Sequence, residues 1–496
     1  MYRMVRWGAL GIGGLLLLLV GVVLARTLSL DSRQVASGEP ALAAVDSGAV
    51  DRLASALRHP TVTQRDPSAL DSAAYRALYA DLERAFPEVH ETLDTTHVNG
   101  LSRLYTWSGT NPTRAPVVLM AHVDVVPIES DSAWTHPPFG GTVADGYVWG
   151  RGALDDKSSA VGILEAVSTL LAQGVRPDRP VHIAVGHDEE VGGRRGAKAL
   201  ADRILDQGLA PALVVDEGGA LTEGALPGLD RPLAVVGIAE KGYLSVELTA
   251  TGDGGHSSAP PTQTSIESLN EALGRLRADP LPARLDGVMG QTLDYVAPEM
   301  SLPMRTALAN RWLTAWGLRW ALNQEAATRA AIRTVQVPTR LDAGVKDNVI
   351  PTSARATINY RILPSHSIDR VREHIQSAIG DLPVSVEAGQ TSPPTAVSAT
   401  QDSTFRLLQR TIRQVTSDSV VVAPYLVPGA TDSRYYADAT DHVYRHIPYT
   451  LTPDDRGRIH GVDERIAVDD YKTVVRYYMR LIQNAEALPG GQAAGR

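Results

Sequence analysis

Three acidic clusters in this chain each follow directly on a β-branched or otherwise apolar run, and that placement restricts the fold more than any other feature. They are Leu154-Asp155-Asp156, His187-Asp188-Glu189-Glu190 and Val215-Asp216-Glu217. Around them, Val117–Met120 reads as a short buried strand, Ser158–Gln173 as an apolar helix closed by Gly174, and Val181–Val185 as a strand. Gly196–Leu205 reads as a helix and Ala212–Val215 as another strand. Strand–helix alternation of this kind predicts an α/β fold, a largely parallel sheet with helices on both faces. In open α/β sheets functional groups collect at the carboxyl ends of the strands. His122 and Asp124, Glu189 and Glu190, and Asp216 each stand just past such an end.

A chain of 496 residues is too long for one core, so at least two domains are expected. The alternation stops near Lys241-Gly242. Tyr243–Ala250 and Arg355–Ile362 alternate as half-exposed strands, and Ile368–Ile379 is an amphipathic helix. These predict a smaller α+β domain of two layers. From about Thr391 the first pattern resumes, with helix Thr404–Val415, strand Val420–Ala423 and a closing helix Val468–Asn484. The expected organisation is therefore a main domain over 46–241 and 391–488, an inserted domain over 242–390, and a flexible tail over 489–496. Residues 283–335 do not fit a minimal insert. Within them Trp312, Trp316 and Trp320 share one helical face, read as a helix packed against the insert. The alternative is an apolar wall for a greasy substrate or a membrane-facing surface.

At the N-terminus Arg3 and Arg6 precede an uncharged stretch from Trp7 to Ala25, which Arg26 closes. Its length approaches the roughly 20 residues that span a bilayer. Residues 1–26 are expected to form a transmembrane anchor, with a signal peptide cleaved after Ala25 as the alternative. The basic flank keeps that end cytoplasmic and puts the bulk of the chain on the extracytoplasmic side. With cleavage, the product would be secreted or periplasmic. Residues 27–45 are expected to be a tether. A net charge of -9 without a basic stripe excludes nucleic acid as a partner. The absence of cysteine removes disulfides, thiolate ligands and a cysteine nucleophile together.

His122 lies in Ala121-His122-Val123-Asp124-Val125-Val126-Pro127 and His460 in Ile459-His460-Gly461-Val462-Asp463-Glu464. Imidazole and carboxylate are the ligand set of a hydrolytic zinc, manganese or cobalt site. Asp155 precedes a helix start, where it is placed to bridge two cations. A Glu-Glu pair is ordinarily a solvated surface feature, but Glu189-Glu190 ends a strand ahead of Gly192-Gly193. His136, His182, His187 and His446 are expected to be structural.

Six motifs in order resemble the metallopeptidase M20 family. Besides the two histidine motifs, they are Gly150-Arg151-Gly152-Ala153-Leu154-Asp155-Asp156-Lys157, His187-Asp188-Glu189-Glu190-Val191-Gly192-Gly193, Gly254-Gly255-His256-Ser257-Ser258-Ala259-Pro260 and Asn348-Val349-Ile350-Pro351. Gly429-Ala430-Thr431-Asp432-Ser433 is similar to the carboxypeptidase S branch, which includes N-fatty-acyl-amino-acid hydrolase/synthase enzymes. The resemblance implies a zinc-exopeptidase-type mixed sheet with an inserted lid or dimerisation domain. It also implies two Zn2+ ions, with Co2+ or Mn2+ possible in their place, bridged by Asp155. One ion would add His122 and Asp216, the other Glu190 and His460; Asp156 and Glu217 are the neighbours that compete for these roles. Glu189 would move the proton and Asp124 would orient His122. His256 would stabilise an oxyanion, while Asn348, Arg361 and Gly429 would hold the substrate. The implied substrate is a small peptide or N-acyl amino acid with a free carboxylate, and the implied partner is a second copy joined through the insert. A catalytically inactive receptor or interaction domain of the same fold is the alternative.

Overall fold

The structure is a computed structural model that describes residues 2–38, 43–224, 226–452 and 454–489. The rest of the expected tail, 490–496, and residues 39–42 of the expected tether lie outside it. A mixed sheet dominates the main body, with ten strands among the described residues. At its centre Val117–His122 runs parallel to Val181–Gly186 on one side and to Leu213–Asp216 on the other. Val443–Arg445 continues the parallel run beside Leu213–Asp216. Antiparallel strands flank it: Ser102–Trp107 and Asp94–Val98 at one end, Leu233–Glu240 toward the other.

Both faces of this sheet are covered, as near-continuous apolar strands require. Alternate residues of one strand join different cores. Val117, Leu119 and Ala121 pack with the helices Lys157–Ala172 and Val468–Ala485. Val118 and Met120 pack with Ala197, Leu200 and Ile204 of the helix Ala197–Leu205. This period of two is what holds His122 at a fixed strand end.

The chain between Gly242 and Ser392 builds a separate antiparallel sheet of four strands, in the order Val335–Ala343, Ser353–Ile362, Gly242–Thr251, Val384–Ser392. Helices Ser265–Ala278 and Ile368–Ile379 cover one face, with Leu244, Val246, Leu269, Ile358 and Ile375 in a core of its own. The first and last connections to the main body run side by side: Tyr243 pairs with Ser392, and the Glu240 N–H donates to Thr395 Oγ1 at 2.8 Å. A Cβ on Gly242 would sit 2.7 Å from the ring and the nitrogen of Pro394, so only glycine allows this close crossing.

Two expectations about the chain path are corrected. The helices Gly287–Val296 and Leu302–Ala309 pack on the main body and not on the insert; Val288, Leu293, Tyr295, Val296 and Leu308 join the main core. The cause is the strand Val421–Val427, which pairs with Leu233–Glu240 and leaves a sheet edge to be satisfied. Thr292 Oγ1 donates to the Pro424 carbonyl at 2.8 Å, and the Gln34 amide pairs with both N–H and C=O of Val422 at 2.8 and 3.0 Å. Nor is the segment after residue 28 a free tether. The carbonyls of Arg33, Val35 and Ser37 accept from Gln409, Arg413 and Gln414 along the helix Ser403–Val415. Ahead of this strap the helix Tyr2–Leu28 contains a 19-residue window, Leu10–Leu28, of mean hydropathy 2.2 that is long and apolar enough to cross a membrane.

Replacing Gly242 by Ala forces the paired crossing apart. We expect a loss of about 1–3 kcal/mol in unfolding free energy, measured by denaturant titration, as for other over-packed contacts. Unchanged stability would mean that the Pro394 segment yields freely.

Candidate active site

Strand ends and one loop bring the acidic clusters together. His122 closes its strand with its ring buried. Glu189 and Glu190 open a 3-10 turn, Glu189–Val191, just after Val181–Gly186. The turn continues through Gly192 at φ +106° and Gly193 at φ +63°, where a Cβ on Gly193 would collide with the Asp432 carboxylate. Asp188 turns away and accepts from the N–H groups of Arg195 and Gly196, both at 2.8 Å.

Asp124 is fully buried, and its carboxylate accepts from the backbone N–H of Glu189 at 3.2 Å and of Glu190 at 3.1 Å. His122 Nδ1 lies 3.0 Å from the Asp124 carbonyl and 3.5 Å from its carboxylate. The carbonyl is thus the nearer partner of the ring, while the side chain fixes the Glu189-Glu190 turn. That second contact was not foreseen from the sequence.

Asp155 stands between the two distant histidines. Its Oδ1 is 2.9 Å from His122 Nε2 and its Oδ2 is 3.0 Å from His460 Nε2. Glu190 Oε2 lies 3.2 Å from the same His460 nitrogen. Two groups of three potential ligands result: Asp155 with Glu190 and His460, and His122 with Glu189 and Glu217. Asp216, the expected ligand, joins neither group. Its Oδ2 accepts the Ser433 N–H at 2.7 Å, and Glu217 is left facing His122 at 3.9 Å. Neighbouring residues at a strand end project to opposite sides, so a single step along the chain decides which carboxylate enters the cleft.

Glu464, not singled out from its motif, organises the Asp155 loop. Glu464 Oε1 accepts from the N–H groups of Gly152, Leu154 and Asp155 at 3.0, 2.8 and 3.2 Å. Its Oε2 pairs with Arg151 Nη1 at 2.7 Å, and both side chains are buried. Arg151 Nη2 also donates to the His460 carbonyl at 3.2 Å. His460 itself is held at φ +62°, a left-handed conformation uncommon for a residue with a side chain. The available signal was the fixed spacing of Glu464 from His460 within one motif.

Charge in the cluster is unbalanced. Burial drives the carboxyls of Glu189 and Glu217 well above the ordinary carboxylate range, and that of Glu190 upward. Burial acts on Asp155 in the same direction, but the hydrogen bonds from His122 and His460 overcome it and hold it low. Hydrogen bonds to Asp155 and then Glu190 lift His460 to about 10. Burial opposes charging of His122, yet Asp124 and Asp155 carry it well above the ordinary value. Several buried carboxylates sharing two imidazoles need added positive charge, because an uncompensated buried ion is costly. Glu190 Oε1 is buried without a hydrogen-bond partner, which points the same way. The donor set therefore fits two divalent cations.

The remaining expected residues lie elsewhere. His256 and Asn348 meet in one corner of the insert, where Gly255–His256 pairs with Val349–Ile350 and Ser257 N–H donates to the Asn348 carbonyl at 3.2 Å. Arg361 packs its guanidinium 4.9 Å over the ring of Tyr243, which pairs with Ser392. Gly429 sits half-buried ahead of Thr431, with open space where a Cβ would be. Among the described residues no hydrogen bond or ion pair links these four to the carboxylate cluster. His182 and His446 are buried, and desolvation holds each down at about 4, so both are neutral. His187 bonds Ser102 Oγ at 2.6 Å, and His136 stands edge-on to Trp149.

Residues 118–484 match the model of peptidase family M20/M25/M40. The chain is 36% identical to an N-fatty-acyl-amino acid synthase/hydrolase PM20D1 of Xenopus tropicalis, over 88% of this chain and 86% of the relative. It is 37% identical to a probable carboxypeptidase S-like 2 of Dictyostelium discoideum, over 88% of this chain and 84% of the relative. Among solved structures, an M20 family metallo-carboxypeptidase from Sulfolobus solfataricus superposes with a TM-score of 0.64 at 18% identity, covering 89% of this chain and 100% of that one. The fold is theirs, and the chain is a hydrolase that belongs to the M20 peptidase family.

Proposed function

We propose that this chain is a dinuclear metal amidohydrolase acting on an amide bond whose amine side is an amino acid with a free carboxylate, in an N-acyl amino acid or a short peptide. The observation that carries the reading is Asp155, whose two oxygens each face a different histidine at 2.9 and 3.0 Å. His122, Asp155 and Glu217 would hold one cation, and Asp155, Glu190 and His460 the other, zinc being the metal this donor set suits best. Glu217 takes the place first given to Asp216. Bound there, a pair of divalent ions supplies polarisation of the scissile carbonyl and a more acidic water.

The chain's own residues do the rest. Glu189 lies beside His122 and Glu217, next in sequence to Glu190, which places it to take a proton from water and deliver it to the leaving amine nitrogen. Asp124 positions it through the Glu189 and Glu190 N–H groups. The Arg361 guanidinium offers a bidentate fork for the substrate carboxylate, and His256 with Asn348 offers donors for the carbonyl. Their place on the insert means that the crossings, at Gly242 and Ser392 and on either side of the helices Gly287–Val296 and Leu302–Ala309, must bend to bring them to the cluster. The similarity to both an N-fatty-acyl-amino acid synthase/hydrolase and a carboxypeptidase S-like protein supports either acyl group. The complete ligand set and Glu189 argue against a merely receptor-like role. The helix Tyr2–Leu28 would anchor the enzyme with its catalytic body on the extracytoplasmic side.

Glu189→Gln should retain both metals while turnover falls by about 10²–10⁴-fold, the range for loss of a general base. Near-normal activity would sink the assigned role. Metal analysis of the purified protein should find two equivalents; one or none would overturn the bridged site. Glu464→Ala leaves Arg151 buried and unpaired, so unfolding should become easier by about 3–5 kcal/mol. The same variant should bind its metals more weakly, and wild-type stability and metal content together would contradict the coupling. A hydrolysis panel of dipeptides, N-acetyl and N-long-chain-acyl amino acids, each paired with its carboxamide, should show turnover only where the carboxylate is free.

A further inference from the structure

We propose that the helix Arg311–Leu322 lies in the interface of the lipid bilayer, with Trp312, Trp316 and Trp320 among the headgroups, as a second membrane contact beside the N-terminal helix. This rests on the anchor reading and goes beyond it, because an anchor alone leaves the orientation of the catalytic body open.

The first observation is exposure. No residue of this helix is buried, and Trp312, Trp316 and Trp320 are 55%, 78% and 68% exposed. Scattered apolar residues on a surface need no explanation, but three tryptophans on one helical face with Leu302 and Leu313 beside them do. The Trp316 and Trp320 indoles make no hydrogen bond among the described residues. Indole, apolar with one N–H, favours the level where headgroups meet hydrocarbon. The helix carries no acidic residue, and Arg319 is suited to anionic lipid, while Arg311 at its start pairs with Asp294. Beside it a groove of about 400 Å3 is lined by Ala307, Leu313, Thr314, Trp316, Gly317 and Leu318. The Thr314 hydroxyl is turned inward onto the carbonyls of Ala307 and Asn310, leaving the groove a hydrocarbon surface.

The second observation identifies the occupant. The apolar span ends against the helix Leu302–Ala309, which leads through Asn310 into Arg311. Arg26 Nε donates to the Ala309 carbonyl at 3.3 Å, and Arg305 Nε to the Thr27 carbonyl at 3.0 Å. Asn310 Nδ2 donates to the Val23 carbonyl and to Thr27 Oγ1, both at 3.3 Å, while its Oδ1 accepts from the Trp312 indole at 3.3 Å. One buried asparagine thus joins the end of the span to the first tryptophan. The strap over residues 33–37 is docked as well, so the body does not swing freely beneath the span. A membrane that encloses Leu10–Leu28 reaches the level of Asn310, and the tryptophan face begins there. A lipid surface, rather than a second protein, is therefore what covers it.

The test uses the full chain in phosphatidylcholine/phosphatidylglycerol vesicles whose lipids carry bromine near the top of the acyl chains. Trp7 is replaced by Phe, because it lies on the N-terminal helix and is itself 73% exposed. Trp107, Trp134 and Trp149 are buried and serve as an internal reference. With three of the six remaining tryptophans at the lipid, emission should fall by roughly half relative to unbrominated vesicles. Changing Trp312, Trp316 and Trp320 to Phe in the same background should abolish the fall while near-ultraviolet circular dichroism shows the fold intact. Protein that floats with the vesicles but shows no quenching overturns the inference and leaves the anchor standing. Protein that does not float overturns both. A Trp316→Cys variant in this cysteine-free chain that oxidises to a dimer across the face would show a second copy there instead.

Discussion

The Glu464 carboxylate is the interaction on which the site depends. It accepts three backbone N–H groups from the loop Gly152–Asp155 and an ion pair from Arg151, while Arg151 holds the His460 carbonyl. A bridging carboxylate must present both oxygens in fixed directions, and a side chain alone cannot ensure that. Here the backbone of Asp155 is fixed by a residue four positions beyond His460. The two loops are more than three hundred residues apart in sequence, yet a displacement of one displaces the other. A buried ion pair of this kind contributes little net stability over an apolar substitute. Its worth lies in geometry, because the atoms it immobilises include the Asp155 N–H and the His460 carbonyl.

Asp124 performs the corresponding task on the other side. Its buried carboxylate holds the turn that carries Glu189 and Glu190, and its carbonyl faces the ring of His122. One residue thereby sets the relative position of His122 and of the Glu189-Glu190 turn at the ends of two adjacent strands. The parallel pairing of Val117–His122 with Val181–Gly186 makes this possible, since it places His122 directly across from Gly186.

Much of this was legible in the sequence, for a physical reason. Continuous apolar runs with acidic or histidine residues just past them mark buried strands, and His122, Glu189 and Glu190 were found that way. Asp155 and His460 came from motif spacing, and the structure brings them together. What stayed hidden depended on direction rather than position. Asp216 and Glu217 are neighbours of the same type, and the Ser433 N–H that holds Asp216 comes from more than two hundred residues away. The docking of Gln34 on Val422 and of Thr292 on Pro424 likewise answers an open sheet edge, which exists only once the strands are assembled.

The carboxylate cluster shows how stability and function divide between the two parts of the molecule. Left without cations, burial favours the protonated form of Glu189 and Glu217, while His122 and His460 hold protons against Asp155. Relaxation would let the acids swing out to water. The clamps from Glu464 and Asp124 resist that by acting on backbone atoms, whose positions the strands and the Lys157–Ala172 helix already constrain. The main body therefore holds an unfavourable arrangement ready for cations. The insert, with its own core, is free of that burden.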